Sequence, residues 1–235
     1  PGFIDIHTHT EIELLVNSKA ESKIRQGVTT EVGGNCGSSP YPLNNKDFEN
    51  YKKRMKERYD LDVDWKNIDG FFDSLEEHKT ALNFASFTGH SDLRAFAVGR
   101  YDKKPTTDQM KLMKEMLAKS MEYGSFGLST GLEYTPGSYA ETPELIELSK
   151  TAAEYGGIYN THMRNEYDTI EEAIQEALEI CEKAGIPLEI AHLKVANPNN
   201  WHKIDKVLGM IEDARAKGLP VTADRYPYNA YGTGL

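Results

Sequence analysis

His7 and His9 close an apolar segment, Phe3-Ile4-Asp5-Ile6, with one residue between them. Side chains two apart on a strand face the same way, so both imidazoles point to one place. Alone, such a pair is commonplace on a protein surface. Here the pattern recurs, because His162 ends the run IYNTH and His192 ends the run LEIAH. Of the seven histidines, four close strand-like runs, and three separate runs supply them. Imidazole is the commonest neutral metal ligand, and four of them in one pocket suit zinc better than magnesium or calcium. Cys36 follows a fourth run, inside Gly33-Gly34-Asn35-Cys36-Gly37. Glycines on both sides allow a tight turn, and a thiol placed there becomes a thiolate when it meets a metal. Cys181 falls on the apolar stripe of a helical pattern and reads as packing. His78 and His202 read as surface residues, and His90 as a pocket-lining group that does not ligate.

These side chains need a frame that gathers strand ends. Seven strand candidates begin near Ile4, Val28, Leu82, Phe126, Ile158, Leu188 and Val221. Helical patterns fill the gaps. Residues 107–123 place Met110, Met113, Leu117 and Met121 at helical spacing before Gly124, and residues 169–184 repeat Ile170, Ala173, Ile174, Ala177, Leu178 and Cys181 before Gly185. Further helices are read at 18–26, from Thr142 onward and at 201–217. Strands alternating with helices predict parallel pairing with right-handed crossovers. An open doubly wound sheet and a (β/α)8 barrel both fit that order. The chain has no G-x-G-x-x-G and no P-loop, and its polar residues gather at the C-terminal ends of several strands, which favours the barrel. With seven strands the barrel is read as incomplete, its last strand lying beyond Leu235. Residues 1–235 are thus expected to form a partial α/β barrel domain with a helical insertion at about 37–80. The insertion reads equally as a wall over the mouth or as solvated helices. The chain starts without Met and stops in a loop, as a piece of a longer protein does.

Composition narrows the partners. The 235 residues carry 27 Lys+Arg against 37 Asp+Glu, a formal net charge of -10, which opposes non-specific nucleic-acid binding. No apolar run approaches the roughly 20 residues of a membrane span, and two cysteines do not make a disulfide framework. The expectation is a cytoplasmic globular protein acting on a small molecule, with neither nucleic acid nor membrane as partner.

The stretches PGFIDIHTHT, QGVTTEVGGNCGSSP, GLSTGLEYTPG, YNTHMRNE, AHLK and DRYPYNA follow one another from Pro1 to about Ala230. Together they resemble the amidohydrolase superfamily, and more closely its N-acyl-D-amino-acid deacylase (D-aminoacylase) branch. The resemblance implies a (β/α)8 barrel holding one or two divalent ions, typically zinc. It implies His7 and His9 as first-strand ligands, His162 and His192 as fifth- and sixth-strand ligands, and Cys36 as the bridging ligand of this branch. Many superfamily members use a carboxylated lysine instead; FGLSTG offers none, and Glu133 lies past it. The branch's catalytic aspartate belongs to an eighth strand and is expected beyond Leu235, since Asp224 sits in VTADRY at a position that does not match. Lys194 and Tyr226 are expected to hold the substrate carboxylate, with Gly232 where the family often has a polar residue. Arg164 either adds positive charge or braces an acid such as Glu166. The implied activity is zinc-dependent hydrolysis of a non-peptide C–N bond, the deacylation of N-acyl-D-amino acids by an activated water. Two alternatives are a cyclic-amide or isoaspartyl-dipeptide hydrolase of the same superfamily, and a metal-binding but catalytically incomplete fragment. The sequence is silent on oligomeric state.

Overall fold

The structure, a computed structural model, describes residues 1–232. Its strands run parallel throughout. β1 (Phe3–Asp5) pairs with β2 (Val28–Gly33), and β2 with β3 (Asn83–Ser86). A second run takes β4 (Thr88–Gly89), β5 (Gly127–Gly131), β6 (Ile158–His162), β7 (Leu188–Ile190) and β8 (Val221–Ala223) in chain order. β3 and β4 are the third strand of the sequence reading, broken at Phe87. The break does not part the wall: Phe87 donates its N–H to the Gly33 carbonyl (3.0 Å), and Phe126 donates to the Ser86 carbonyl (2.9 Å). Seven strand positions therefore follow one another as the crossover rule requires. Among the described residues β1 and β8 do not pair with each other. An apolar cavity of about 580 Å3 is lined from both edges and from the strands between, by Ile6, Val32, Phe87, Ile158 and Val221.

Helices cover the other face. α6 (Thr107–Tyr123) opens with a reciprocal cap between Thr106 and Gln109 and stops at Gly124, whose φ of 119° suits a residue without Cβ. α7 (Thr142–Glu154), α8 (Ile170–Ala184) and α9 (Ile204–Ala216) follow. The expected stripe of α8 is buried, Cys181 included, and packs with Leu117, Leu128, Leu145, Tyr159 and Leu188 in one core. Each such leucine contributes about 1.5–3 kcal/mol by leaving water. A second core lies under the first half of the chain. There α3 (Asn45–Tyr59), α4 (Ile68–His78) and the segment between them bring Phe48, Met55, Phe71 and Trp65 against Leu14 and Leu15 of α1 (Glu11–Val16). The Trp65 indole N–H donates to the Pro40 carbonyl (3.1 Å). The short helix expected at 18–26 is α2 (Glu21–Ile24).

α1 and α5 (His90–Ala97) go beyond the sequence reading. His78 and His202 are exposed as expected. His90 is not at the mouth: it is fully buried and bonds Glu144 through Nε2 at 2.9 Å. No helix among the described residues is long and apolar enough to cross a membrane.

Candidate metal centre

β2 ends at Gly33, and the chain then turns through Gly34 (φ 70°), Cys36 (φ 52°) and Gly37 (φ 75°). The Asn35 amide fixes the turn by donating to the carbonyls of Val32 (2.8 Å) and Thr8 (3.3 Å), tying it to the residues after β1. The turn rests directly on β5. A Cβ on Gly131 would lie 2.1 Å from the Cys36 carbonyl oxygen, and one on Gly37 would lie 2.5 Å from the Gly131 nitrogen. Gly37 donates its N–H to Ser129 Oγ (3.1 Å), and the Ser129 hydroxyl donates to the Gly34 carbonyl.

This seat puts Cys36 Sγ 3.4 Å from His7 Nε2 and 3.5 Å from His192 Nε2. His192 Nε2 in turn lies 2.9 Å from His162 Nδ1. One ligand atom each from His7, Cys36 and His192 lie within 4.8 Å of one another, and the same holds for His162, Glu166 and His192. Four of the five expected ligands thus meet at one rim. His9 stands beside them, its ring edge-on to His7 with centroids 5.6 Å apart, and belongs to neither group. Desolvation and the His7, His192 and His162 rings hold the His9 imidazole down to about 4. Burial, then the Glu166 and Asp224 carboxylates, push the Cys36 thiol up to about 12, which opposes its acting alone as a thiolate nucleophile at neutral pH.

Three carboxylates surround the rings. Asp224 Oδ2 lies 3.0 Å from His7 Nδ1, while its Oδ1 accepts the His192 backbone N–H at 2.6 Å, where the chain takes a φ of 38°. The sequence reading put Asp224 inside the seventh strand; β8 ends at Ala223, so Asp224 emerges at the rim and faces His7. Glu133 Oε2 lies 3.1 Å from His162 Nε2. Glu166 reaches His192 Nδ1 (2.8 Å) through Oε1 and Lys194 Nζ (2.5 Å) through Oε2. Burial works against its charge, but the hydrogen bond and charge of His192, with His162 and Lys194, outweigh it and hold the carboxyl below the ordinary value. All three acids stand just past the ends of β5, β6 and β8, the criterion that singled out the histidines; applied to acids, it finds them too.

Arg164 does brace an acid, but a different one. It forks onto both oxygens of Glu176 (2.9 Å each) and donates to the carbonyls of Ser138 and Ala140. Lys194 pairs with Glu166, and both line a small cavity of about 130 Å3 together with Glu133, His162, Tyr226 and Tyr231. The Lys194 ammonium lies 5.7 Å from the Tyr226 ring, and the buried Tyr226 hydroxyl has no hydrogen-bond partner among the described residues. Gly232, the last described residue, lines the same cavity.

No protein-family model matches the chain. Individual proteins do. It is 36% identical over 237 residues to an N-acyl-D-glutamate deacylase of Alcaligenes xylosoxydans xylosoxydans, and 36% identical over 239 residues to a D-aminoacylase of the same organism. Both alignments take in all of this chain and 48% of the relative, so the chain spans about half the length of the curated relatives it matches. Among solved structures, N-acyl-D-glutamate deacylase from Bordetella bronchiseptica, complexed with zinc and a phosphonate mimic of the tetrahedral intermediate, superposes with a TM-score of 0.86 at 34% identity. A D-aminoacylase structure concerned with a binuclear metal centre gives 0.83 at 33%. Each covers 97% of this chain and 48% of the other. The parallel barrel wall is that of the amidohydrolase superfamily. Within it, the chain belongs to the D-aminoacylase (N-acyl-D-amino-acid deacylase) family.

Proposed function

We propose that this chain carries the metal-holding part of a zinc-dependent deacylase of N-acyl-D-amino acids. The observation that carries the reading is the meeting of Cys36 Sγ with ring nitrogens of His7, His192 and His162 at steps of 2.9–3.5 Å. A sulfur among imidazoles is a donor set that suits zinc. His7, His9, Cys36, His162 and His192 would hold one or two ions. Zinc supplies Lewis acidity, polarising the scissile carbonyl and making water a nucleophile at neutral pH.

The chain's own residues do the rest. Lys194 binds the substrate carboxylate as a point charge, and Glu166 keeps it aimed into the small cavity. The unpartnered Tyr226 hydroxyl donates the second hydrogen bond that a carboxylate accepts. Both oxygens of Asp224 are taken up by His7 and the His192 amide, so Asp224 holds ring and backbone and does not deliver a proton to the leaving amine. That role falls to the aspartate expected beyond Leu235. Residues 1–235 act in this reading as a partial barrel, with the 37–80 insertion as a wall: α3 contributes Asp47, Tyr51 and Arg54 to a cavity of about 450 Å3 that reaches His9. Both cysteines are free thiols, which fits the reducing cytoplasm where we place the protein.

The test is turnover. Purified intact protein supplied with zinc is expected to release free amino acid from N-acetyl-D-amino acids, and His162→Ala to abolish that release. Turnover of hydantoins or dihydroorotate in place of the linear amides would refute the substrate class. Zinc content no higher in wild type than in His7→Ala would refute the metal centre.

A further inference from the structure

We propose that Glu133 is a positioning residue that sets the ring orientation and tautomer of His162, leaving Nδ1 free to face the centre shared with His192 and Cys36. The inference rests on the metal-centre reading above and adds a residue to it.

An ionised carboxylate only accepts hydrogen bonds, so the 3.1 Å contact with Glu133 Oε2 requires the hydrogen of His162 to sit on Nε2. A neutral imidazole then has its lone pair on Nδ1. That nitrogen is the one 2.9 Å from His192 Nε2, on the side of the cluster. The backbone explains how Glu133 gets there. Gly131, last residue of β5, is in register with His162, last residue of β6, and Leu132 donates its N–H to the His162 carbonyl (3.0 Å). Glu133, the residue after Leu132, therefore starts beside the ring it holds. Tyr134 closes the arrangement, its ring 4.7 Å from that of His162.

The same device appears at the other end of the cluster. Asp224 fixes the hydrogen of His7 on Nδ1, and Nε2 faces Cys36. His192, in the middle, differs. Its Nδ1 lies 2.8 Å from Glu166 Oε1 and 3.0 Å from Lys194 Nζ, so that nitrogen faces an acceptor and a donor together. The outer two rings are thus each oriented by one acid. Carboxylates that orient a ligating histidine in this way typically change metal affinity 10–100-fold when removed.

Two measurements on the intact protein test the role of Glu133: ring-nitrogen NMR of His162 without metal, and zinc affinity by competition with a chromophoric chelator. Wild type is expected to show the Nε2–H form. Glu133→Ala is expected to mix the two tautomers and weaken zinc binding by roughly 10–100-fold. Glu133→Gln keeps an accepting oxygen and is expected to restore both readouts to near wild type. The Glu133 side chain is 34% exposed, so truncating it removes little packing. A Glu133→Ala protein with wild-type tautomer and affinity overturns the inference. So does a Glu133→Gln protein as weak as Glu133→Ala, because the charge would then matter and not the accepted hydrogen bond. If wild type takes up no zinc, the metal-centre reading falls, and the NMR arm still decides which nitrogen of His162 carries the hydrogen.

Discussion

Cys36 reaches His7 and His192 because two glycines let backbones touch. With a Cβ on Gly131 only 2.1 Å from the Cys36 carbonyl oxygen, any larger residue there must push the turn away from β5. Gly131→Ala is therefore expected to cost about 1–3 kcal/mol, seen as a lower urea midpoint, and to weaken zinc binding although residue 131 is no ligand. The ligand types were legible because strand C-termini mark them, and the branch resemblance fixed Cys36 among them. Their partners were not. Glu166 lies two residues from Arg164 in the sequence, yet the guanidinium turns to Glu176 on α8, a full loop away, and Glu166 turns to His192 and Lys194. Adjacency along the chain does not say which way a side chain leaves a turn. Glu133 and Asp224 each follow a strand end by one or two residues, so their place is legible, but which ring each meets is set by tertiary contacts.

At the scale of elements, α5 and α7 are joined by a buried ionic group. Glu144 accepts from His90 Nε2 (2.9 Å) and from Arg94 Nη1 (2.6 Å), and Arg94 Nη2 also donates to the Lys103 carbonyl. Burial works against the Glu144 charge, but the His90 hydrogen bond, with the His90 and Arg94 charges, outweighs it and holds the carboxyl below its ordinary value of 4.5. A depressed carboxylate contributes stability that is fully present above the unfolded pKa and is lost as pH falls through the folded one. Urea unfolding is thus expected to show this contribution intact at neutral pH and lost well below pH 4.5. Glu144→Gln is expected to flatten that acid limb and to destabilise the neutral protein by about 3–5 kcal/mol, since Arg94 stays buried without its counter-charge. α6 and α8 were readable from apolar spacing and their glycine stops. α5 was not, because it starts at the residue after β4, with no loop between strand and helix to set it apart. The split of the third strand at Phe87 likewise has no mark in the sequence; it arises where the strand passes its hydrogen bonds from β2 to β5.

Across the whole molecule the apolar residues form two cores, one under α3 and α4 and one under α6 to α9. Phe71 is fully buried at the centre of the first, within 6.2 Å of the rings of Tyr41, Trp65, Phe72 and Phe84. Phe71→Ala is expected to cost about 3–5 kcal/mol. Hydrogen exchange should place that loss chiefly in the first half, with the amides of β5 to β7 keeping their protection; equal loosening of both halves would contradict two separate cores. The break at Phe87 falls between the two cores along the chain. His7 and Cys36 belong to the strands before it, His162 and His192 to the strands after it. The cluster is therefore shared between the two sides, with Cys36 Sγ 3.4 Å from His7 on its own side and 3.5 Å from His192 on the other. A small shift of one side against the other would part Cys36 from His192 while each side kept its own core.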